Sequence, residues 1–291
     1  MHMKLYYRLI GLTLGYSLLL GSGAIPQHSD EPYVSMRVIP EKAVIFPGEP
    51  LMLKVVFSNT RSSSAALDLG IEGLEAFSFT LIDNQSNKVC TGADQEQGGF
   101  RPLVRVAVPA HESVEKRLLF NIWCSTMLPF GQYKIKTNFR DASDHSKVFT
   151  AETDFEIAPF SKPEMQEIFS AELSKILNKP PVEEMRLAIR KIAYSESPEV
   201  VPYIAQIVAS KNVEILWKSE VIRGLGKIKT LESAKLLKQI FYNRSSSGIE
   251  RDDALSAIHQ IYSNTKDQRI LRELRPVIKA HPKPPLKRII G

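Results

Sequence analysis

The chain has 291 residues, 43% of them hydrophobic and 24% charged, with 38 Lys+Arg against 32 Asp+Glu, a mix that excludes wholesale disorder. Two cysteines are too few for a disulfide-stapled miniprotein or a zinc ribbon, and 18 Pro and 15 Gly without a period exclude a collagen-like chain. The length predicts two domains, each large enough for its own core.

Lys4 and Arg8 form a basic stretch, Leu9 to Leu20 are mostly apolar, and the small residues Gly21-Ser22-Gly23-Ala24 follow. That order predicts a secretory signal peptide over 1–24, cut after Ala24. The apolar run is about a dozen residues, short of the ~20 that span a bilayer; an uncleaved membrane anchor is the alternative. No Cys follows the run, which argues against a lipoprotein, and no other stretch is apolar enough to cross a membrane. The expectation is an exported protein, periplasmic or extracellular, with no transmembrane segment in the mature chain.

Charge divides along the chain. Residues 25–161 carry 13 Lys+Arg and 17 Asp+Glu, a net of −4, whereas 162–291 carry 23 and 15, a net of +8. Such asymmetry marks a domain boundary and suits a polyanion-binding second half.

From Tyr33 to Ile157 the pattern is that of strands. Leu51, Leu53, Val55 and Phe57 alternate with Met52, Lys54, Val56 and Ser58, and Tyr133, Ile135, Thr137 and Phe139 alternate with Gln132, Lys134, Lys136 and Asn138. A period of two places one face on a core and the other in water. Further strands are predicted at 35–39, 77–82, 103–108, 114–123 and 147–157. Pro47-Gly48, Asp83-Asn84, Gly98-Gly99, Pro129-Phe130-Gly131 and Asp141–Asp144 supply turns. Seven or eight short strands suggest an antiparallel sandwich. Phe46-Pro47-Gly48-Glu49-Pro50-Leu51 and Leu128-Pro129-Phe130-Gly131-Gln132-Tyr133 make residues 33–158 resemble an immunoglobulin-like module of exported bacterial proteins. The resemblance implies a tyrosine corner, the Tyr133 phenol bonding back across its turn. It implies no particular function, because such modules serve as adhesins, spacers, carbohydrate binders and inhibitors alike.

Cys90 and Cys124 both fall in this half, and export would place them where a disulfide can form; two buried thiols are the alternative. No His or second Cys lies at ligand spacing from either, so a metal site is disfavoured.

Beyond Ala158-Pro159-Phe160 the period becomes helical. Ser161 and Glu164 have capping-box spacing, with Pro163 early in the helix. Ala188-Ile189 and Ile192-Ala193 recur as Val221-Ile222 and Leu225-Gly226, then as Ala254-Leu255 and Ile258-His259, each step 33 residues. The following helix echoes them at steps of 33 and then 34, a one-residue insertion in the third turn: Ile204 and Ile207, Leu237 and Ile240, Leu271 and Leu274. Two helices per fixed period predict an α-solenoid of three repeats, 182–210, 215–244 and 250–280, capped by a helix at 164–178. Ile222-Arg223-Gly224-Leu225-Gly226-Lys227-Ile228 resembles the short HEAT-like repeats of bacterial proteins, which implies close helix approach at the small-Leu-Gly segment.

No nucleophile elbow, P-loop, dinucleotide fingerprint or H-E-x-x-H motif is present, and none of the six His has a local zinc motif. His259 is read as packing at a roomy helix contact. Asp83–Asn87 lacks the Gly and distal Glu of a calcium loop and is read as a hairpin turn. Arg269, Arg272, Arg275 and Lys279 share one predicted helix face, and Lys283, Lys287 and Arg288 follow in a Pro-rich tail over 282–291. This face is either a solvated surface or a dock for an anionic envelope surface or acidic partner. Arg190 and Arg223, one period apart, are expected on a shared surface, with Ser256 breaking the row.

The expected protein is therefore a β-sandwich over 33–158 followed by a helical repeat domain over 162–281. Its expected role is non-catalytic binding or scaffolding, with another envelope protein or an anionic surface as partner, no cofactor and no nucleic acid. The alternatives are an envelope-polymer-binding or inhibitor module using the sandwich loops, and an enzyme with a site at the domain junction.

Overall fold

The computed structural model describes residues 33–71, 73–92 and 103–282. The predicted signal peptide, the Gly98-Gly99 turn and the tail beyond Pro282 lie outside them. The described chain is β first and α second, and it holds ten strands and seven α-helices.

Three sheets build the first part. β1 (Val34–Pro40), β3 (Met52–Asn59) and β8 (Ser113–Leu119) form one, in the order β1-β3-β8. β2 (Val44–Ile45), β10 (Val148–Ile157), β9 (Gly131–Arg140), β5 (Phe77–Asp83) and β6 (Lys88–Gly92) form the second in that order, with β2 parallel to β10 and the other pairs antiparallel. β4 (Ala65–Ile71) pairs with β7 (Leu103–Val108). The first two sheets meet through an aromatic core. Phe57 of β3 lies edge-on to Phe139 of β9 with ring centres 5.1 Å apart, and Phe139 lies 5.2 Å from Phe77 of β5. All three rings are buried, as the alternation of β3 and β9 requires.

Three further strands complete the sheets: β2 has two residues, β4 alternates Ala65, Leu67, Leu69 and Ile71 with Ala66, Asp68 and Gly70, and β6 is largely solvent-facing. Residues 114–123 are not one strand: β8 stops at Leu119, and Phe120–Ile122 make a 3-10 turn. That turn sends Phe120 and Trp123 into the core against Phe79, at 5.6 and 4.6 Å. It also places Cys124 beside Cys90 of β6; the two form a disulfide, with Cα atoms 6.0 Å apart. Tyr133 Oη donates to Pro129 O at 2.9 Å, the bond expected of a tyrosine corner.

The helices are α1 (Lys162–Leu177), α2 (Val182–Ala193), α3 (Val201–Ala209), α4 (Ile215–Leu225), α5 (Leu231–Tyr242), α6 (Gly248–Asn264) and α7 (Gln268–Ala280). α2, α4 and α6 stack in one row and α3, α5 and α7 in another, with α1 against α2 and α3. The periodic stripe is the core: Ala188, Ile189, Ile192, Val221, Ile222, Leu225, Ala254 and Ile258 are all buried. In α7 the buried residues are Ile270, Leu274 and Val277, while Leu271 is half-buried. The 33-residue step from Leu237 thus falls on Ile270, not Leu271.

Gly224 and Gly226 are the points of closest approach. A Cβ on Gly224 would overlap the Ala193 carbonyl of α2, and one on Gly226 would stand 3.2 Å from Ala257 of α6. Ser161 caps α1 without a side-chain hydrogen bond, and Pro163, at one of the two positions whose N–H could donate to it, has no N–H. Complete capping boxes occur instead at Thr230 with Ser233 and at Ser247 with Glu250.

The β part and the helices are in direct contact. Phe46 packs into the helical core. Met52 and Leu119 sit on the face of their sheet that alternation assigns to water, yet both are buried. Met52 shares a cavity of about 200 Å³ with Ile168 and Ala171 of α1. The same cavity holds two buried carboxylates, each paired. Lys42 Nζ lies 2.5 Å from Glu49, and Lys191 and Lys175 lie 3.1 and 3.0 Å from Glu172.

Candidate functional site at the sheet–helix cleft

A cleft of about 780 Å³ opens between β8 and the helices. One wall is residues 115–119 of β8 with Ile122, Leu74 and Val104; the other is α2 and α4, presenting Glu183, Glu184, Arg186, Leu187, Arg190, Trp217 and Glu220. The helical repeat positions this second wall. Glu184 and Trp217 are one 33-residue period apart, so they occupy equivalent places on adjacent helices.

Charges in the cleft alternate in sign. Arg190 Nε lies 3.4 Å from Glu220, Arg186 Nη1 lies 3.1 Å from Glu183, and Arg117 Nε lies 3.0 Å from Glu41 and 3.6 Å from Glu115. One unit further along, Arg223 Nε lies 3.8 Å from Asp253. Arg190 and Arg223 therefore do lie in equivalent places, each reaching an acid of the next helix in the row. This pairing commits Glu115, Glu183, Glu220 and Asp253 each to a base.

At the other end of the repeats, α7 turns Ile270, Leu274 and Val277 inward and Arg269, Arg272, Arg275 and Lys279 outward, all four exposed. They do not carry equal free charge. Arg269 Nη2 lies 2.9 Å from Asp267, and these hydrogen bonds hold the Asp267 carboxyl down at about 2. Arg272 Nε donates to the Gln268 carbonyl at 3.2 Å. Arg275 and Lys279 have no side-chain partner among the described residues. Glu273, the acid within this stretch, turns away and bonds Lys238 of α5 at 2.8 Å.

A third polar cluster ties the β part to the α2–α3 loop. Ser195 Oγ donates to Gly48 O at 2.9 Å, and Ser125 Oγ donates to the Glu196 carboxylate. Lys227 Nζ stands 4.0 Å over the Tyr194 ring. Burial pushes the Lys227 ammonium below its usual range, against the opposing pull of Glu196.

The remaining sequence candidates are structural. The Asp83 carboxylate accepts the N–H groups of Gln85 and Asn87 at 2.9 and 2.8 Å and so closes the turn after β5. His259 is half-buried and lines an open depression with His281 rather than filling a helix contact; the side chain is too large for the place that Gly226 takes one unit earlier. Among the described residues no group of three or more His, Cys, Asp or Glu is placed to hold a metal ion. No described helix is long and apolar enough to cross a membrane.

The cleft had no signature in the sequence. Glu184 and Trp217 belong to no motif, and the 33-residue spacing between them is the one signal the sequence holds.

No known protein family matches the chain, and no curated protein is similar to it. Among solved structures it is similar to the sporulation control protein Spo0M of Bacillus subtilis, with 13% identity, 50% of this chain and 56% of that one covered, and a TM-score of 0.27. It is similar also to a cycloisomaltooligosaccharide glucanotransferase of Paenibacillus sp., with 12% identity, 48% and 19% covered, and a TM-score of 0.27. A β-glucosidase of Listeria innocua gives 15% identity, 44% and 16% covered, and a TM-score of 0.24. The chain thus spans little more than half of Spo0M and about a fifth of the glucanotransferase. At these TM-scores the likenesses carry no argument about function.

Proposed function

We propose that this is an exported, non-catalytic binding protein, an immunoglobulin-like β-sandwich joined to three HEAT-like helix pairs, that engages another envelope protein through the cleft between them. The observation that carries this reading is the cleft itself: it is long, open and lined by interleaved charges around Trp217. Recognition surfaces have this character, with an aromatic anchor inside a polar rim. The two rows of stacked helices and the tyrosine-corner bond of Tyr133 support the two architectures. The disulfide supports export, since such bonds persist in oxidising compartments.

The test is cross-linking capture from envelope material, with the mature chain and its Trp217→Ala variant compared. A defined partner retained by the wild type and lost by the variant is expected. Equal capture by both proteins would remove the cleft from the reading.

The α7 face supports a second reading, electrostatic docking to an anionic envelope surface. Arg275 and Lys279, exposed and without acidic partners among the described residues, favour it.

A further inference from the structure

Among the described residues β8 is bonded along one side only, to β3. The bonds that close the two ends of this ladder set its phase: Asn59 N–H donates to Glu112 O, and Phe120 N–H donates to Leu51 O, both at 2.9 Å. Bonded and non-bonded pairs alternate along an antiparallel ladder. Val114, Lys116 and Leu118 therefore turn their backbone groups toward β3, and Ser113, Glu115, Arg117 and Leu119 turn theirs away. Among the described residues no other backbone group meets the amides of Glu115, Arg117 and Leu119 or the carbonyls of Glu115 and Arg117. A free edge of this kind is a template for another strand.

That edge is one wall of the cleft. Residues 115–119 all line it, a length of about 15 Å at the rise of an extended chain. The opposite wall, on α2 and α4, offers the side chains that strand addition requires for specificity. On that wall Arg190 and Arg186 are each committed to an acid, as is Arg117 on β8 itself, whereas Glu184 is exposed and has no cation among the described residues. A carboxylate without a counterion, on the same wall as an indole, suits an ammonium or guanidinium group.

We propose that the cleft takes an extended peptide segment of a partner protein by strand addition to β8, with a Lys or Arg of that segment held between Glu184 and Trp217. This rests on the binding reading above and names the chemistry of its partner. A second copy of the chain is the competing occupant, because Glu115 and Arg117 would face each other across a two-fold pairing of two β8 edges. The edge, however, lies inside a cleft whose far wall is α2 and α4. A single strand enters it, whereas a second β8 would arrive carrying its own helical wall.

The experiment uses the mature chain and an array of short synthetic peptides of alternating Thr and Val with a central Lys, Arg, Glu or Ala. Binding is followed by fluorescence anisotropy, and amide hydrogen exchange is followed in parallel. Peptides with Lys or Arg are expected to bind and to slow exchange at Glu115, Arg117 and Leu119. Central Glu or Ala, or N-methylation of alternate peptide amides, should weaken binding by about tenfold or more. Glu184→Lys, on an exposed position that leaves the fold intact by circular dichroism, should weaken the Lys peptides by a similar factor and reverse the preference toward Glu. Binding without protection of the β8 amides, binding indifferent to Glu184→Lys, or no binding by any basic peptide would overturn the proposal. So would β8 protection that grows with protein concentration in the absence of peptide, which would assign the edge to a second copy. Partner capture that survives Glu184→Lys but not Trp217→Ala would defeat strand addition while leaving the binding reading in place.

Discussion

Gly48 lies against the backbone of Ser197: a Cβ on Gly48 would stand 2.7 Å from the Ser197 nitrogen, and the glycine adopts φ +78°. The Pro47-Gly48 turn of the β part is thereby seated on the α2–α3 loop, where Ser195 Oγ bonds the Gly48 carbonyl. Both the left-handed backbone and the missing side chain are required at this one position. Gly48→Ala should destabilise the protein by about 1–3 kcal/mol, through strain and a forced retreat of the α2–α3 loop. Chemical denaturation of the two proteins checks this, and equal midpoints would refute the contact.

Leu225 is fully buried where α4 meets its neighbours, one residue after the Gly224 contact with Ala193. Leu225→Ala should cost about 2–5 kcal/mol. Leu225→Asp should cost more, because an unpaired buried charge rivals the stability of a whole domain. A melting curve of the Asp variant that matches wild type would place Leu225 outside the core.

The Cys90–Cys124 bridge spans a sequence separation of 34 and ties β6 to the turn that ends β8. Loop-closure entropy for a ring of that size is worth about 4 kcal/mol. Oxidised protein, unfolded in denaturant, should show no free thiol, and Cys90→Ser with Cys124→Ser should lower the denaturation midpoint. Two titratable thiols per chain in exported protein would contradict the bridge.

Asp267 gives a pH handle on the basic face. Its folded value of about 2 lies below the ordinary 3.8, held there by hydrogen bonds from Arg269. A depressed carboxyl contributes stability that is fully present above 3.8 and is lost as pH falls through about 2. Carboxyl NMR titration should place Asp267 at the low value and move it toward 3.8 in Arg269→Ser. An unchanged midpoint would show the pair to be absent in solution.

The same pair divides the four basic residues by role. Arg269 is already neutralised by Asp267, so binding to anionic vesicles should depend most on Arg275 and Lys279. Binding should also weaken as salt rises, since exposed charges are screened beyond about 8 Å at physiological ionic strength. Vesicle co-sedimentation of Arg275→Ser/Lys279→Ser against Arg269→Ser tests this; equal losses, or binding indifferent to salt, would exclude the α7 face as a dock.

Periodicity alone determined much of this protein. The alternation around Leu53 and Phe57 marked β3, the 33-residue recurrence of Ala188, Val221 and Ala254 marked the stacked helices, and two cysteines in one half left a single intramolecular pairing. Each of these signals is local or repeats at a fixed step, so it is visible along the chain. Tertiary structure decided the rest. Met52 and Leu119 stand on the face that alternation gives to water and are buried because helices cover that face. β2 is a strand of only two residues and forms because β10 pairs with it, not because of any pattern of its own. The cleft exists because the β part and the helices meet, with Ser195 bonding Gly48 across 147 positions and β8 forming one wall while Glu184 and Trp217 line the other. No period in a sequence records a contact between two different periodic elements, since each side's pattern is satisfied by burial as such and is silent about what does the burying.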